Sequence, residues 1–345
     1  MEKLNQKFGG MISGNCDREI KKKTKINKKY LFFSHGRSAM IWLIQNYKFD
    51  SCLMCAYTWP AIPDLMKKLK LKIDFYDLFE KNIEKKLQKM RGQILLIVSV
   101  FYGFQPWLNL SKISRKFKGK VFILIDSAQT AYGHKDYKIP RNGAILSCPH
   151  KSLSTDDGSI LALYKIDKKK LSSYNKLKKE KNFTTIKNKS RKLLNSNKLN
   201  LEKKGIKLSR KLEEKWNSFP PKKISKQSYD KFIKIDPAYH KLTRRKNFKY
   251  LSNFMKKKFG TIKNLKLGTP FGYPVLTRNR DDLIKKLHKE RIFATKLWFN
   301  NPYIKKKYPM ALKFKKEFLA FPLDQRYKLK DLDVMKERIN KVLKR

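Results

Sequence analysis

From Tyr30 to Tyr164 the chain alternates short apolar runs with stretches whose apolar residues recur at helical spacing. YLFF (30–33) is followed by SAMIWLIQNY (38–47), in which Met40, Ile41, Ile44 and Tyr47 fall on one helical face. SCLMCAY (51–57) leads to IPDLMKKLK (62–70), and KIDFYDL (72–78) leads to a polar helix around residues 80–90. QILLIVSV (93–100) precedes NLSKISRKF (109–117), then comes KVFILIDSA (120–128), and GAILSC and GSILALY close the series as two more strands. Runs this dense in Ile, Leu and Val have no polar face to offer water. Set between helices, they predict an α/β fold: a mostly parallel sheet covered on both faces.

The pattern weakens beyond Tyr164. Residues 165–215 read as a lysine-rich excursion, with helical periodicity returning in LSRKLEEKWNSF (208–219). After residue 235 the text suits a smaller α+β unit: a strand in YPVLT (273–277), a helix in RDDLIKKLHKERI (280–292) with two Asp in its first turn, and an amphipathic terminal helix (329–344) through Leu332, Met335, Ile339 and Val342. A large domain over 1–235 and a small one over 236–345 are therefore expected.

Composition changes this picture in one respect. A net charge of +56 suggests at first a polyanionic partner. It comes from 69 lysines and only 15 arginines, in a chain also rich in Asn and Ile. Base recognition favours the arginine fork, whereas lysine alone supplies unspecific attraction to phosphate. The expectation is a solvated lysine surface rather than a nucleic-acid face. Cys52 and Cys55 form a C-x-x-C without a matching pair, while Cys16 and Cys148 stand alone, so buried thiols are expected rather than a metal site. The longest apolar run, Ile94 to Phe101, is far short of the ~20 residues of a spanning helix. The opening residues lack the pattern of a secretory leader, so a cytoplasmic protein without membrane partners is expected.

Four junctions carry candidate chemistry. SHGRSAM (34–40) sets Gly36 at a strand-to-helix turn, where backbone N–H groups and the helix dipole favour a phosphate. AYTWP (56–60) places Trp59 just past a strand, to stack on a flat ligand or to fill core. LIDSAQ (124–129) ends a buried strand on Asp126, a helix cap or part of a site. SCPHKSLSTDDGSI (147–160) puts Lys151 between strands, though one lysine among 69 carries nothing by itself. Ligands of such sheets bind beyond the carboxyl ends of the strands, where all four junctions lie.

In order and spacing these segments resemble the DegT-type sugar aminotransferases, pyridoxal 5'-phosphate (PLP) enzymes of fold type I, the aspartate-aminotransferase-like fold. The likeness runs through HGRSAM, AYTWPAIPDLM, FYGFQPWLNL, IDSAQTAYG and HKSLSTDDGSIL, and resumes in RRKNFKYL (244–251), GYPVLTRNRDDLIKKL and FPLDQRYKLKDLD (321–333). It implies that Lys151 forms the internal aldimine with PLP and shuttles a proton between substrate and cofactor. It further implies that Asp126 pairs with the pyridine nitrogen, Gln129 bonds the ring hydroxyl, Trp59 stacks on the ring, and Arg37, Ser38 and Ser147 hold the phosphate. The implied reaction moves an amino group from an amino acid such as glutamate to a keto sugar, nucleotide-linked, in a homodimer. The alternatives are another PLP reaction of the dehydratase type, and a basic non-catalytic binding module. Two departures stand out: Ser159 replaces a usual glycine, and residues 175–215 lack the Asn- and Arg-bearing segment that in many relatives reaches a neighbouring subunit's site. Arg326 in LDQRY is expected at the surface.

Overall fold

The computed structural model describes residues 6–9, 16–20, 27, 29–104, 107–181, 183–194, 196, 199–215, 220–263 and 265–344. Seven strands, β1 (Tyr30–Phe33), β2 (Ser51–Cys55), β3 (Lys72–Tyr76), β4 (Ile94–Ser99), β5 (Val121–Ser127), β6 (Gly143–Ser147) and β7 (Ser159–Leu163), join in the order β1-β7-β6-β5-β4-β2-β3. The pairs from β6 through β5, β4 and β2 to β3 are parallel, and only β7 runs against its neighbours β6 and β1. The expected mostly parallel sheet is thus present.

Each central strand is buried along its whole length, and its side chains divide alternately between two cores. Cys52, Met54, Leu95, Ile97, Phe122, Leu124 and Leu146 pack on one face with helices Gly36–Tyr47 and Ala61–Lys68. Leu53, Leu96, Ile123, Ile125 and Ile145 pack on the other with Phe314 and Phe318 from the C-terminal part of the chain. There β8 (Tyr273–Leu276) and β9 (Phe318–Phe321) form a two-stranded antiparallel sheet beneath helices Pro237–Phe259, Arg280–Lys289 and Leu329–Lys344. Leu332, Met335, Ile339 and Val342 make the buried stripe of the terminal helix, as its period predicts.

The described residues of 165–215 are more helical than their composition suggests. They hold helices Lys168–Asn175, Phe183–Leu194 and Leu199–Lys215, the last two packed on each other; residues 216–219, the end of the expected helical stretch, lie outside the described residues. One lysine of the excursion is not solvated. Lys187 is buried and its ammonium donates to the carbonyls of Thr155 and Asp156, while Arg191 pairs with the Asp156 carboxylate at 2.9 Å. Burial, reinforced by the nearby Arg191 charge, lowers the Lys187 pKa to about 7. Residues 178–180 and 223, on either side of helices Phe183–Leu194 and Leu199–Lys215, meet at one place, where Lys223 N–H donates to Lys178 O at 2.9 Å and Glu180 N–H to Lys223 O at 3.0 Å.

Candidate active site

Strand alternation decides what the carboxyl edge of the sheet offers. Asp126 has the parity of Phe122 and Leu124, so it leaves β5 on the face covered by helix Gly36–Tyr47. On β4, Ser99 shares register and face with it. A cavity of about 470 Å³ opens there, lined by Arg37, Trp59, Ser99, Asp126, Gln129 and Lys151 among others. Its size suits a small cofactor and part of a substrate. A wider hollow of about 790 Å³ lies between Asp74–Glu80 and Lys307–Met310. It contains none of the expected site residues, and its Asp77 is already occupied in capping helix Pro309–Glu317 through the N–H groups of Met310 and Ala311.

Each wall of the smaller cavity is held by a local device. Lys151 sits at the end of a 3₁₀ turn, Pro149–Lys151, that follows β6 directly, and its side chain is exposed to the cavity. Its ammonium lies 5.9 Å from the Trp59 ring centre, and the Arg37 guanidinium lies 4.6 Å from the same ring. Two cations around one indole make this mouth suited to a phosphate-bearing, flat ligand. The Gln129 carbonyl oxygen accepts the Tyr102 N–H at 2.7 Å, which leaves the amide NH₂ as a donor. Asp126 is only 8% exposed and its carboxylate accepts the Ala128 N–H at 3.1 Å. Burial raises its pKa, against the lowering pull of Lys151.

Two histidines flank the site as neutral rings. His35 caps helix Gly36–Tyr47 by accepting the Ser38 N–H at 3.1 Å, and burial, followed by the charges of Arg37 and Lys222, pushes its pKa down to about 3. His150 is held well below its ordinary value by burial, and its Nδ1 lies 2.7 Å from Gly158 O, so the proton resides on Nδ1. Cys148 is raised to about 11 by burial and stays a thiol; Cys52 and Cys55 are likewise buried and pushed up. No group of three or more potential metal ligands occurs among the described residues.

Of the residues expected from sequence, Arg37, Trp59, Asp126, Gln129 and Lys151 line the one cavity. Ser38 and Ser147 do not. The Ser38 hydroxyl accepts the Lys222 N–H at 2.6 Å and donates to Lys222 O at 3.2 Å. Ser147 has the parity of Ile145, so it points to the opposite face of the sheet from Asp126, and its oxygen lies 3.2 Å from that of Ser127. Both hydroxyls are thus engaged by other groups, and the phosphate is left to Arg37 and the backbone at the start of helix Gly36–Tyr47 in the proposal below. Arg326, expected at the surface, is half-buried and forks onto Asp324 at 2.7 and 2.8 Å. Sequence reasoning missed Ser99, His35 and His150, though the strand-end logic that singles out Asp126 applies equally to Ser99. Phe271 and Trp298 reach the cavity from the C-terminal part and leave no local signal.

The donor set fits PLP. An amine, a buried carboxylate, an indole face and an arginine at a helix N-terminus converge on a single cavity, and the Ser99 hydroxyl in its wall is buried without a partner. No family model and no curated protein matches the chain. Solved structures do. A putative sugar aminotransferase from Streptococcus pneumoniae in its PMP form matches with a TM-score of 0.64 at 11% identity, over 93% of each chain. The Helicobacter pylori aminotransferase PseC, involved in pseudoaminic acid biosynthesis, matches at 0.63 and 12% identity over 98% of this chain and 100% of its own. A DegT DnrJ EryC1 StrS aminotransferase from Brucella abortus matches at 0.56 and 12% identity, over 90% and 85%. Likeness of this extent at such low identity establishes the fold: the chain has the type I fold of the PLP-dependent aminotransferases.

Proposed function

We propose that the protein is a PLP-dependent aminotransferase that moves an amino group from an amino acid such as glutamate to a keto sugar, nucleotide-linked, acting in the cytoplasm as a homodimer. The observation that carries this reading is the convergence of Lys151, Asp126 and Trp59 on one cavity at the carboxyl edge of the sheet. The similar solved structures named as sugar aminotransferases support it. Among the described residues no helix is long and apolar enough to cross a membrane.

Bound in the cavity, PLP supplies a protonated ring that draws electrons from a substrate α-carbon. The chain's residues make that chemistry possible. The Lys151 amine would be the nucleophile that holds the cofactor and the base that moves the proton of the substrate α-carbon. Asp126 would pair with the cofactor's ring nitrogen and hold a proton there, and such a cationic partner would remove the penalty that burial imposes on the carboxylate. Trp59 would stack on the ring, the Gln129 NH₂ would donate to the ring hydroxyl, and Arg37 with the N-terminus of helix Gly36–Tyr47 would hold the phosphate.

The absorbance spectrum of the protein with PLP, before and after glutamate, tests the reading. A yellow form that borohydride bleaches, that glutamate converts to the pyridoxamine form and that Lys151→Ala lacks is expected. Protein that stays colourless with added PLP overturns the reading, and a yellow form unmoved by any amino donor overturns transamination while leaving the cofactor in place.

A further inference from the structure

The end of β4 carries a hydroxyl with no assigned task. Ser99 pairs in register with Asp126, so their side chains leave neighbouring strands on the same face and enter the same cavity. Ser99 is 4% exposed, and its oxygen has no hydrogen-bond partner. Other buried hydroxyls share that lack, among them Ser34, Ser51 and Ser159, but among the described residues only the unpartnered oxygen of Ser99 belongs to a residue lining this cavity. An unmet buried hydroxyl is a standing cost to the fold. It is removed when a ligand supplies the missing partner.

The neighbourhood indicates which ligand edge that is. The loop leaving β4 also carries Tyr102, whose N–H fixes the Gln129 carbonyl and turns the Gln129 NH₂ into a donor. Arg37, the phosphate-holding candidate, stands at the start of the helix that follows β1, two strands beyond β6 in the sheet. Ser99 and Gln129 thus both belong to the β4 side of Asp126, away from the phosphate end. We infer that Ser99 is a cofactor-binding residue: its hydroxyl hydrogen-bonds the ring edge that carries the hydroxyl, beside the Gln129 NH₂ and next to Asp126. This rests on the proposed PLP reading.

The test is equilibrium binding of PLP, followed by its absorbance, to wild-type protein, Ser99→Ala and Ser99→Gly, together with the melting temperature of each protein free of cofactor. Both variants are expected to bind PLP about 3- to 10-fold more weakly, the loss of one ring hydrogen bond, and to show an altered absorption band as the ring hydroxyl loses a donor. Cofactor-free Ser99→Ala is expected to melt no lower than wild type, because its removed hydroxyl had no partner. A structural role alone would move melting and leave the band unchanged. Affinities within about twofold of wild type, with an unchanged band, overturn the inference while the cofactor reading stands. Wild-type protein that takes up no PLP overturns the cofactor reading, and the inference with it.

Discussion

Replacing Arg244 by lysine probes how the residues around Lys151 are held. Arg244 is 1% exposed, on helix Pro237–Phe259. Its Nε donates to the Gln325 carbonyl oxygen at 3.0 Å, one terminal nitrogen donates to the carbonyls of Pro270 and Phe271 at 3.1 Å each, and the other reaches Ser152 O at 3.5 Å. Gln325 completes the clasp, since its NH₂ donates to Ser152 O and to Asp17, each at 2.8 Å, and Asp17 accepts the Ser154 N–H and hydroxyl at 2.7 Å. Burial lowers the Arg244 pKa to about 10, so the guanidinium remains charged at neutral pH. A lysine keeps the charge but gathers its donors on one nitrogen and cannot span acceptors on three segments. Losing two of the three shorter bonds, at about 1.5–3 kcal/mol for each charge-assisted bond, amounts to ~3–6 kcal/mol. That is a large part of a typical stability of about 5–15 kcal/mol. Urea unfolding followed by far-UV circular dichroism should show the midpoint falling with little change in slope. A cost below ~1 kcal/mol would refute the view that this fork joins the Lys151 segment to the C-terminal part.

Two further outcomes follow from single residues. Asp126→Asn keeps the acceptor for the Ala128 N–H and removes a carboxylate whose pKa burial has raised, so cofactor-free wild type loses stability as pH rises from the ordinary carboxylate value through the raised one. The variant's advantage in urea should therefore grow from about pH 4 towards pH 7 while turnover is lost; an advantage independent of pH contradicts the burial argument, and near-normal kcat contradicts the pyridine assignment. Gly103 has φ +80° and an added Cβ would stand 1.7 Å from Thr269 O, so Gly103→Ala should cost at least ~2 kcal/mol in the same assay, and a cost of a few tenths would show that the 103 and 269 segments part easily.

The strands were readable because both cores press on the sheet, which leaves β2, β4, β5 and β6 as unbroken apolar runs with sharp ends. Asp126 stood out because it ends such a run, whereas Lys151, past the end of β6, was singled out only by the order and spacing of the segments that carry the family resemblance. What escaped depends on facts that composition does not encode. Ser38 and Ser147 have suitable chemistry, but one is taken by the Lys222 backbone and the other lies one residue out of phase with the cavity face. Lys187 is indistinguishable in sequence from its solvated neighbours, and only the packing of its helix against the 155–156 carbonyls separates it from them. Arg326 is withdrawn from the surface by an aspartate two positions away, a contact set by the turn that brings the pair together.

The crossing of residues 178–180 with 222–223 has a consequence for how this protein can change. Because the chain departs and returns through adjacent hydrogen-bonded positions, the intervening arm closes on itself like an appendix to the sheet. Closing a longer or shorter loop between fixed ends alters chain entropy only slowly with length. The arm can therefore be lengthened, trimmed or exchanged for another pair of helices while β1 to β7 keep their register, provided that the replacement again meets the carbonyls of Thr155 and Asp156. Variation in length is tolerated at this junction, a natural graft point beside the sheet.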